Sequence, residues 1–471
     1  MRSNLLLDVD SYKASHPAGM YPPKMESMFS YLESRGGKYS STVMFGLQYL
    51  LAEYLAGKVT YHDLEQAETF FKSHGEPFPY DSWEKVIRQH NGQIPIIIKA
   101  VKEGSVVPTH NVLMTVESAT KDTDLAWMVS WMETMLMRMW YPITVATQSY
   151  ECKKTILRHL MKTADDPWGE IDFKLHDFGS RGVSSRESAG IGGMSNLVNF
   201  KGSDNIEGVR FANDYYHSLM AGFSIPASEH STITAWGRDK EHEAYANLVA
   251  KFCKPGAIVA CVSDSYDLYN VVENVWGGSL RQAIQDSGAT LVIRPDSGDP
   301  ATVVCCILDM LKRNKNVGMS MNSRGYYVLP KYLRVIQGDG VNGESINEIL
   351  TKMALSGHST SNIAFGMGGA LLQKVDRDTQ KFAYKCSSCV VDGVQRDVYK
   401  DPVTDPGKMS KCGLLDLIEN ERGDYQTVQR TSLTASMSKL QTVYEPGHIV
   451  LSQDLETIRA SVNLSLQRAL S

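Results

Sequence analysis

Three side chains that could bind a flat ring with a polar substituent lie within residues 173–204. Phe178 offers an aromatic face, Arg181 a guanidinium group and Asp204 a carboxylate. The first two follow one short apolar run and the third follows the next, so we expect all three just past the carboxyl ends of two successive strands. In α/β folds, ligands bind at this edge. The stretch alone permits a second interpretation, in which Phe178 is a core residue and Arg181 and Asp204 form a surface ion pair.

A cation and a carboxylate end a later apolar run, in the sequence Arg294-Pro295-Asp296. Because side chains alternate along an extended chain, Arg294 and Asp296 are predicted to point to the same side. Such a pair could hold the hydroxyl groups of a sugar and a phosphate together. A structural salt bridge would use the same spacing, so the pair alone does not decide its role.

A histidine ends another run, in the sequence Ser228-Glu229-His230-Ser231. A histidine at a strand end can carry a proton or accept a phosphoryl group. Single histidines are more often structural, and the nearby Ser224 does not complete a Gly-x-Ser-x-Gly nucleophile elbow. The spacing leaves both roles open for His230.

The glycine-rich sequence Gly366-Met367-Gly368-Gly369 separates an apolar run from a predicted helix at residues 370–374. Glycines let backbone N–H groups approach an anion, and a helix N-terminus adds a favourable partial charge. The late strands of β/α barrels often hold phosphate in this way. We therefore predict a phosphate site here rather than a simple tight turn. The chain has no Walker A motif and no complete Gly-x-Gly-x-x-Gly motif after a strand, which argues against a P-loop or dinucleotide fold.

Short apolar runs and helical stretches alternate through the middle of the chain and must position these groups. The runs cover residues 173–177, 197–200, 222–225, 257–263, 289–293, 332–336 and 362–365. Alternating β and α elements imply a parallel sheet. Seven such units over about 200 residues suit an irregular β/α barrel better than a small open sheet. An open doubly wound sheet is the alternative.

The segments on either side of this region have a different pattern. Residues 94–101 and 112–117 are rich in β-formers and flank turn residues, and residues 382–386 and 390–399 also favour strands. We predict that residues 1–165 and 378–471 form a discontinuous β-rich α+β domain. Residues 166–377 would then form the β/α-barrel domain, after a polar linker at residues 165–169.

Composition restricts the class of protein. The 471 residues are enough for two or three domains, and 42% hydrophobic and 21% charged residues are ordinary for a globular protein. A net charge of -5 gives no sign of a nucleic-acid-binding surface, and no apolar run suits a secretory signal or a membrane span. The eight cysteines are scattered and complete no zinc motif, so we expect reduced thiols and a cytoplasmic location.

The set and order of these motifs resemble the nicotinamide phosphoribosyltransferase family, which consists of type II phosphoribosyltransferases. The resemblance covers nearly the whole chain, and the double-acidic strand motif of type I enzymes is absent. The chain departs from animal members at Ser180, Phe223 and Met367, where those carry Tyr, Tyr and Ser. The resemblance is carried by DSYKASHP, FGLQYLLAEYLAGKV, WYPITVAT, KLHDFGSRGVSS, LVNFKGSD, PASEHSTITAWG, VSDSYDLYN, IRPDSGDP, YLRVIQGDGV, IAFGMGGALLQK and KDPVTDPGK.

The resemblance implies a reaction. Phosphoribosyl would pass from phosphoribosyl pyrophosphate to nicotinamide, giving nicotinamide mononucleotide and pyrophosphate for NAD salvage. The resemblance further implies Mg2+, held through phosphates rather than by direct protein ligands, and ATP hydrolysis through a phosphorylated histidine. It also implies a homodimer with both active sites at the subunit interface.

The resemblance assigns a role to each matching residue. The pyridine ring would lie between Phe178 and Tyr12 of the partner subunit, with Asp204 accepting a hydrogen bond from the amide and Arg181 contacting the same ligand. The other expected substrate-binding residues are Asp10, Ser224, Gly338, Asp339, Gly368 and Gly369. The expected catalytic residues are the phosphorylated His230, Arg294 and Asp296 at the ribose and its phosphate, and Asp264 near the metal and phosphates. The expected pyrophosphate ligands are Arg35, Arg377, Lys385 and Lys400, which would reach it from the partner subunit, and Lys408.

Asp204 also separates the alternatives for the substrate. Its carboxylate would repel nicotinic acid, whereas an amide can donate to it. A nicotinate or other pyridine phosphoribosyltransferase would be expected to carry a cation or a neutral donor there. The third alternative, a non-catalytic binding or signalling dimer with the same fold, predicts loss of the charged residues at the strand ends.

Overall fold

The computed structural model describes residues 4–404, 409–450 and 452–470. The chain divides into two compact units. Unit 1 comprises Met1–Thr147, Asp214–His217 and Asp376–Ser465, and unit 2 comprises Gln148–Asn213, Ser218–Val375 and Leu466–Ser471. Residues 148–165 therefore group with unit 2, although the sequence placed them in the first domain. The domain boundaries predicted at residues 165 and 377 remain a prediction.

The strands are numbered in chain order. They are β1 (Met25–Ser34), β2 (Ser41–Val43), β3 (Ile96–Ala100), β4 (Val106–Pro108), β5 (Val112–Ser118), β6 (Leu175–Asp177), β7 (Gly202–Ser203), β8 (Ile258–Val262), β9 (Thr290–Arg294), β10 (Ser320–Met321), β11 (Tyr327–Val328), β12 (Leu333–Gln337), β13 (Ile363–Met367), β14 (Phe382–Val391), β15 (Val394–Asp397), β16 (Leu415–Glu419), β17 (Tyr425–Gln429), β18 (Gln441–Glu445) and β19 (His448–Ile449).

The α-helices follow the same convention. They are α1 (Leu47–Leu50), α2 (Tyr61–His74), α3 (Tyr80–His90), α4 (Met128–Trp131), α5 (Glu133–Met137), α6 (Trp140–Thr163), α7 (Pro167–Glu170), α8 (Arg186–Asn196), α9 (Ile206–Tyr215), α10 (His230–Thr234), α11 (Glu241–Phe252), α12 (Leu268–Asn270), α13 (Arg281–Ser287), α14 (Pro300–Arg313), α15 (Gly343–Leu355), α16 (Gly369–Leu372), α17 (Ser432–Ser436) and α18 (Leu455–Leu470).

Shorter 3-10 and π segments complete the helical structure. The 3-10 segments are Leu5–Leu7, Ser11–Ser15, Ile171–Phe173, Ser180–Gly182, Arg238–Lys240, Thr360–Asn362 and Arg377–Thr379, and the π segments are Leu51–Leu55 and Val271–Ser279. Within the described ranges, none of the helices combines the length and the apolar composition needed to cross a membrane.

Unit 2 is built on a six-stranded sheet with the order β7-β6-β13-β12-β9-β8. Every neighbouring pair in this sheet is parallel. Parallel neighbours need crossover connections, and helices provide them between most of these strands. Because all six strands run in one direction, their carboxyl ends meet at a single edge, which we call the strand-end edge.

The segment 223–228 joins the two outer strands of this sheet. On the β7 side, Ser203 N donates to Phe223 O at 2.9 Å. On the β8 side, Ala260 N donates to Pro226 O at 2.9 Å. Isolated parallel bridges mark both contacts. The sheet therefore curls into an irregular β/α barrel, which confirms the predicted fold class.

The prediction of a strand at residues 197–200 is wrong. These residues form a turn after α8, in which Phe200 N donates to Asn196 O at 3.1 Å. The strand that pairs with β6 comes later, at Gly202–Ser203. Leu197 and Phe200 are fully buried, so their apolar character reflects packing of the turn. A short apolar run does not by itself distinguish a strand from another buried segment.

Unit 1 contains a seven-stranded sheet with the order β15-β14-β1-β5-β3-β18-β19. Its neighbouring strands are antiparallel. The long strand β1 lies between β14 from the C-terminal segment and β5 from the N-terminal segment. The two segments thus interleave in one sheet, which confirms the predicted β-rich α+β part of the fold.

Candidate active site

Phe178 follows β6 directly and is half-buried over the barrel interior, where it packs against Ala260, Val292 and Ile336. Its backbone N–H donates to the carbonyl oxygen of Met367 at 3.0 Å. The phenyl ring therefore rests on the core and lies at the strand-end edge at the same time.

Two glycines leave the space that this ring occupies. A Cβ on Gly366 would lie 2.0 Å from Cε2 of Phe178, and a Cβ on Gly338 would lie 3.4 Å from the same atom. The first distance is far below a van der Waals contact, so any side chain at Gly366 would displace the ring. The absence of a side chain on β13 therefore sets the position of Phe178.

The carboxylate of Asp177 joins two neighbouring strand ends. Its Oδ1 accepts from Gly179 N at 2.7 Å, and its Oδ2 accepts from Nδ2 of Asn205 at 2.9 Å. The Asp177 carbonyl accepts from Asp204 N at 3.0 Å. The side chain has 0% exposure, and burial raises the pKa of Asp177 to about 6 in spite of these hydrogen bonds. The loops that carry Phe178 and Asp204 are thus both hydrogen-bonded to one buried residue, Asp177.

Asp204 lies exposed after β7. Its Oδ1 accepts from the hydroxyl of Ser224 at 2.5 Å. An ionised carboxylate has about four acceptor positions, so one hydroxyl leaves capacity for an N–H donor of a ligand. Arg181 is also exposed, in the single 3-10 turn Ser180–Gly182 that follows Phe178. The side chain that contacts Asp204 in the structure is Ser224, rather than Arg181 as in the surface-pair interpretation.

His230 begins α10 with its side chain 45% exposed. Its Nε2 lies 3.4 Å from Oδ2 of Asp296 and 3.8 Å from Oδ1 of Asp264. Its Nδ1 lies 3.2 Å from Oγ of Ser265. The Asp296 carboxylate at one ring nitrogen and the Ser265 hydroxyl at the other hold the orientation of the imidazole.

The ends of β8 and β9 form a second polar cluster at the same edge. Oδ2 of Asp264 accepts from Asp296 N at 2.9 Å and from the Ser297 hydroxyl at 2.5 Å. Nη2 of Arg294, the last residue of β9, lies 3.8 Å from Oδ2 of Asp296 in the segment that follows. Within the described residues, Oδ1 of Asp264 and Nε of Arg294 are buried without a hydrogen-bond partner. Such groups are costly unless a ligand or an ion satisfies them.

The glycine-rich turn after β13 differs from its prediction. Gly366 and Met367 belong to the strand itself, and the predicted helix is a single turn, Gly369–Leu372. One turn provides little of the dipole of a longer helix. Gly368 and Gly369 can therefore favour an anion mainly through close backbone approach.

The end of β12 carries two more of the expected substrate-binding residues. Gly338 follows the strand directly, and the exposed Asp339 comes next. Nε2 of the buried Gln337 donates to the carbonyl oxygen of Asp339 at 2.8 Å. The strand end is thus fixed, while the Asp339 side chain stays accessible at the strand-end edge.

Tyr12 and Asp10 belong to unit 1, and the Tyr12 ring is 55% exposed. The hydroxyl of Thr134 accepts from Asp10 N at 3.1 Å and donates to the Asp10 carboxylate at 2.9 Å. Nζ of the buried Lys13 lies 2.7 Å from the carboxylate of Glu133. A firmly attached segment therefore presents an exposed aromatic ring.

Unit 1 also carries the cations expected to bind pyrophosphate. Arg35 follows β1, and Lys385 lies on the neighbouring strand β14 opposite Tyr31. Burial lowers the pKa of Lys385, and the positive charges of Arg35 and Lys400 act in the same direction. Lys385 therefore lies within electrostatic range of both Arg35 and Lys400.

The other two expected pyrophosphate ligands are Arg377 and Lys408. Arg377 is exposed in the 3-10 turn Arg377–Thr379, where its Nε lies 3.6 Å from the carboxylate of Asp378. Lys408 lies outside the described residues.

Comparison with known proteins places this arrangement in a family. A model of the nicotinate phosphoribosyltransferase (NAPRTase) family matches residues 173–448, and a model of the N-terminal domain of nicotinamide phosphoribosyltransferase matches residues 4–98. A nicotinamide phosphoribosyltransferase from Xanthomonas campestris pv. campestris is 51% identical over 462 residues, which are 97% of each chain. The chain belongs to the nicotinamide phosphoribosyltransferase family. This assignment makes it an enzyme, a phosphoribosyltransferase.

Further relatives of this phosphoribosyltransferase agree with the assignment. A nicotinamide phosphoribosyltransferase from Acinetobacter baylyi is 29% identical, over 99% of this chain and 98% of its own. The solved nicotinate-nucleotide pyrophosphorylase of Pyrococcus furiosus matches with a TM-score of 0.61 and 15% identity, over 99% and 97% of the two chains. Human nicotinic acid phosphoribosyltransferase matches with a TM-score of 0.56 and 15% identity, over 98% and 93%. At these identities, the solved structures show the type II phosphoribosyltransferase fold.

Sequence reasoning did not identify several groups that shape the site of this phosphoribosyltransferase. Asp177 was treated as the end of a strand, and Gly366 as part of a turn. A charged residue inside an apolar run is one usable signal for a buried polar group. A glycine within a strand pattern is a signal for close approach of another group. Ser265 gave no comparable signal, because a serine in a polar loop is ordinary.

Proposed function

We propose that this phosphoribosyltransferase transfers phosphoribosyl from phosphoribosyl pyrophosphate to nicotinamide, giving nicotinamide mononucleotide and pyrophosphate in NAD salvage. The observation that carries the proposal is the exposed carboxylate of Asp204, held by Ser224 at the end of β7, the strand next to the one that the half-buried Phe178 follows. A pyridine ring fits an aromatic face, and its amide can donate to a carboxylate. The names of the two curated relatives support the same acceptor substrate.

The chemistry of the transfer suits these residues. The pyridine nitrogen is already a nucleophile, so the enzyme needs no general base to activate it. The main tasks are to align the ring with the anomeric carbon and to stabilise an oxocarbenium-like transition state. Phe178 would perform the first task, and Asp296 with Arg294 would hold the ribose and its phosphate for the second. The new C–N bond forms as the bond between the anomeric carbon and pyrophosphate breaks.

Mg2+ is the proposed metal, bound chiefly through the phosphates of the substrate. Within ranges 4–404, 409–450 and 452–470, no group of three or more His, Cys, Asp or Glu side chains is arranged to hold a metal ion. Asp264 and Asp296 fit a metal–phosphate complex best, because a buried oxygen of Asp264 has no hydrogen-bond partner among the described residues. When bound, Mg2+ would neutralise charge on the departing pyrophosphate.

ATP is the proposed co-substrate, with His230 as the residue that it phosphorylates. The ring nitrogen would attack the terminal phosphorus as the bond to ADP breaks, and water would later hydrolyse the phosphohistidine. The exposed and oriented imidazole supports this role, and the carboxylates of Asp264 and Asp296 would stabilise the positive charge that the ring acquires. Arg35, Lys385 and Lys400, which would reach the site from the partner subunit, are the proposed contacts for polyphosphate groups.

A homodimer is the proposed assembly, with each active site completed by Tyr12 of the partner subunit. The exposure of Tyr12 on an attached segment supports this arrangement, because a large exposed aromatic ring suits a contact outside its own unit. The exposed apolar side chains Leu219 and Met220 are also consistent with a covered surface.

The experiment that tests the proposal is a direct assay. The purified chain is incubated with nicotinamide, phosphoribosyl pyrophosphate and Mg2+, and the mononucleotide is separated and measured. A parallel reaction with nicotinate tests the alternative acceptor. Formation of nicotinamide mononucleotide supports the proposal. A folded protein that forms only nicotinate mononucleotide, or no product, contradicts it.

A further inference from the structure

The buried carboxylate of Glu33 on β1 is shared by two cations. Nε of Arg35 lies 2.9 Å from its Oε1, and Nζ of Lys411 donates to its Oε2. The Glu33 side chain is only 3% exposed, whereas Lys411 is 28% exposed and Arg35 18%. A single buried anion therefore holds two cations that still reach the surface.

Tyr31 fixes Lys411 at a second point. Tyr31 and Glu33 alternate along β1 and so share one face of the sheet, and Arg35 follows the strand. The Tyr31 hydroxyl accepts from Lys411 N at 3.0 Å, and the Lys411 ammonium lies 6.0 Å from the centre of the Tyr31 ring. Because both its backbone and its ammonium group are held, Lys411 has a defined position rather than that of a freely moving surface lysine.

The loop that carries Lys411 is attached to β14 at both ends. The carbonyl oxygen of Ser387 accepts from Val398 N at 2.9 Å and from Gly413 N at 2.8 Å. The Ser387 hydroxyl donates to the Gly413 carbonyl at 2.8 Å. Lys400 N donates to the Ser410 hydroxyl at 3.0 Å, which ties the two flanks of the loop together. Lys400 is thereby joined to Ser410, the residue that precedes Lys411.

The cluster has an excess of positive charge. Among the described residues, Glu33 pairs with Arg35 and Lys411, Glu133 pairs with Lys13, and the charges of Arg35, Lys400 and Lys13 also act on Lys385. Nη2 of Arg35 is buried without a hydrogen-bond partner among the described residues. A donor of this kind in a cationic group suits the oxygens of a polyphosphate, which accept charge-assisted hydrogen bonds from several cations together.

We propose that Lys411 is a further ligand for the pyrophosphate group of the phosphoribosyl donor, and that Glu33 is the positioning residue that presents Arg35 and Lys411 together. The inference rests on the proposed function, because that reaction supplies the polyphosphate.

The first test measures binding of inorganic pyrophosphate, in the presence of Mg2+, by calorimetry on the full chain. Lys411→Gln removes one charge-assisted contact and should raise the Kd of pyrophosphate about tenfold. The KM of nicotinamide should stay within about twofold, since no polyphosphate contact forms part of its site. The matched control is Lys439→Gln, which removes a lysine paired with Glu419 in the same unit and should leave pyrophosphate binding unchanged.

The second test separates positioning from simple structural support. Glu33→Gln keeps the size of the side chain but cannot accept from both cations, so it should also weaken pyrophosphate binding. The effect of Lys411→Gln should shrink from about tenfold to about twofold when Glu33→Gln is present, because coupled residues are not additive. A full tenfold effect in both backgrounds overturns the role of Glu33. Pyrophosphate binding by Lys411→Gln within twofold of the unaltered chain overturns the role of Lys411.

These results are distinguishable from failure of the proposed function. An unaltered chain that forms no nicotinamide mononucleotide refutes the function whatever the variants bind. If the unaltered chain forms the mononucleotide and Lys411→Gln binds pyrophosphate as the unaltered chain does, only the inference about Lys411 and Glu33 is refuted.

Discussion

The hydroxyl of Ser224 donates a 2.5 Å hydrogen bond to Oδ1 of Asp204, although the two residues lie 20 positions apart. Asp204 follows a strand of the barrel sheet, whereas Ser224 lies on the segment 223–228 that joins the outer strands. The orientation of the Asp204 carboxylate therefore depends on how the barrel closes.

Asp204→Asn should lose much of the preference for nicotinamide over nicotinate. The change removes the negative charge that repels a carboxylate ligand but keeps the shape of the side chain. The ratio of kcat/KM for the two acceptors should fall at least about tenfold, which corresponds to about 1.4 kcal/mol. Initial rates with each acceptor measure this ratio. Asp286→Asn, which neutralises an exposed carboxylate of α13 that accepts from Gln282, serves as the matched control. Unchanged discrimination in Asp204→Asn would refute the argument.

His230→Ala should keep transferase activity without ATP but lose its stimulation by ATP. The imidazole is the proposed acceptor of the phosphoryl group, whereas the alignment of the pyridine ring depends on other residues. Rates measured with and without ATP should become equal in the variant. His242→Ala, which removes an exposed histidine that contacts Ser279, is the control and should retain stimulation. Full ATP stimulation of His230→Ala would exclude phosphorylation of this residue.

Gly366→Ala should disturb the acceptor site with little effect on the rest of the fold. The new Cβ would lie 2.0 Å from the Phe178 ring, which must move. Overpacking of this kind costs about 1–3 kcal/mol, and we expect the KM of nicotinamide to rise about tenfold or more. Gly343→Ala is the control, because its Cβ meets only Sγ of Cys152, at 3.8 Å. A KM of nicotinamide that changes less than about twofold in Gly366→Ala would show that the ring position does not matter.

Asp177→Asn should change how stability depends on pH. Burial raises the pKa of this carboxyl from 3.8 to about 6 in the folded chain. Its contribution to stability is therefore fully present below pH 3.8 and is lost as the pH rises through about 6. Between about pH 4 and pH 7, the unaltered chain should lose about 2 kcal/mol of unfolding free energy relative to the variant. Urea denaturation of both proteins across this range measures the difference, and parallel pH curves would contradict the prediction.

Much of the barrel could be predicted from sequence because its longer strands are buried on both faces. The predicted runs at 257–263, 289–293, 332–336 and 362–365 overlap the strands β8, β9, β12 and β13. The runs at 197–200 and 222–225 were predicted as strands but do not form regular strands in the structure. Their apolar residues pack in a turn or in a segment with isolated bridges, and local periodicity does not report which backbone partner is present.

The residues at the strand ends could be named from sequence, but the groups that orient them could not. Asp177, Gly366 and Ser265 act through contacts with residues brought close only by folding. The predicted anion site at the glycine-rich turn relied on a helix that is a single turn in the structure. A pattern shows which side chains could do chemistry, whereas burial and distances show which of them are held in place.

The joining segment 223–228 has an evolutionary consequence. It places Ser224, which orients the proposed selectivity residue, close in the chain to His230, the proposed phosphoryl acceptor. Insertions or deletions in this short stretch would alter acceptor choice and energy coupling in the same event. Acceptor choice and energy coupling are therefore expected to diverge together among descendants of this chain. Either property could change alone only through substitutions that preserve the backbone of this segment.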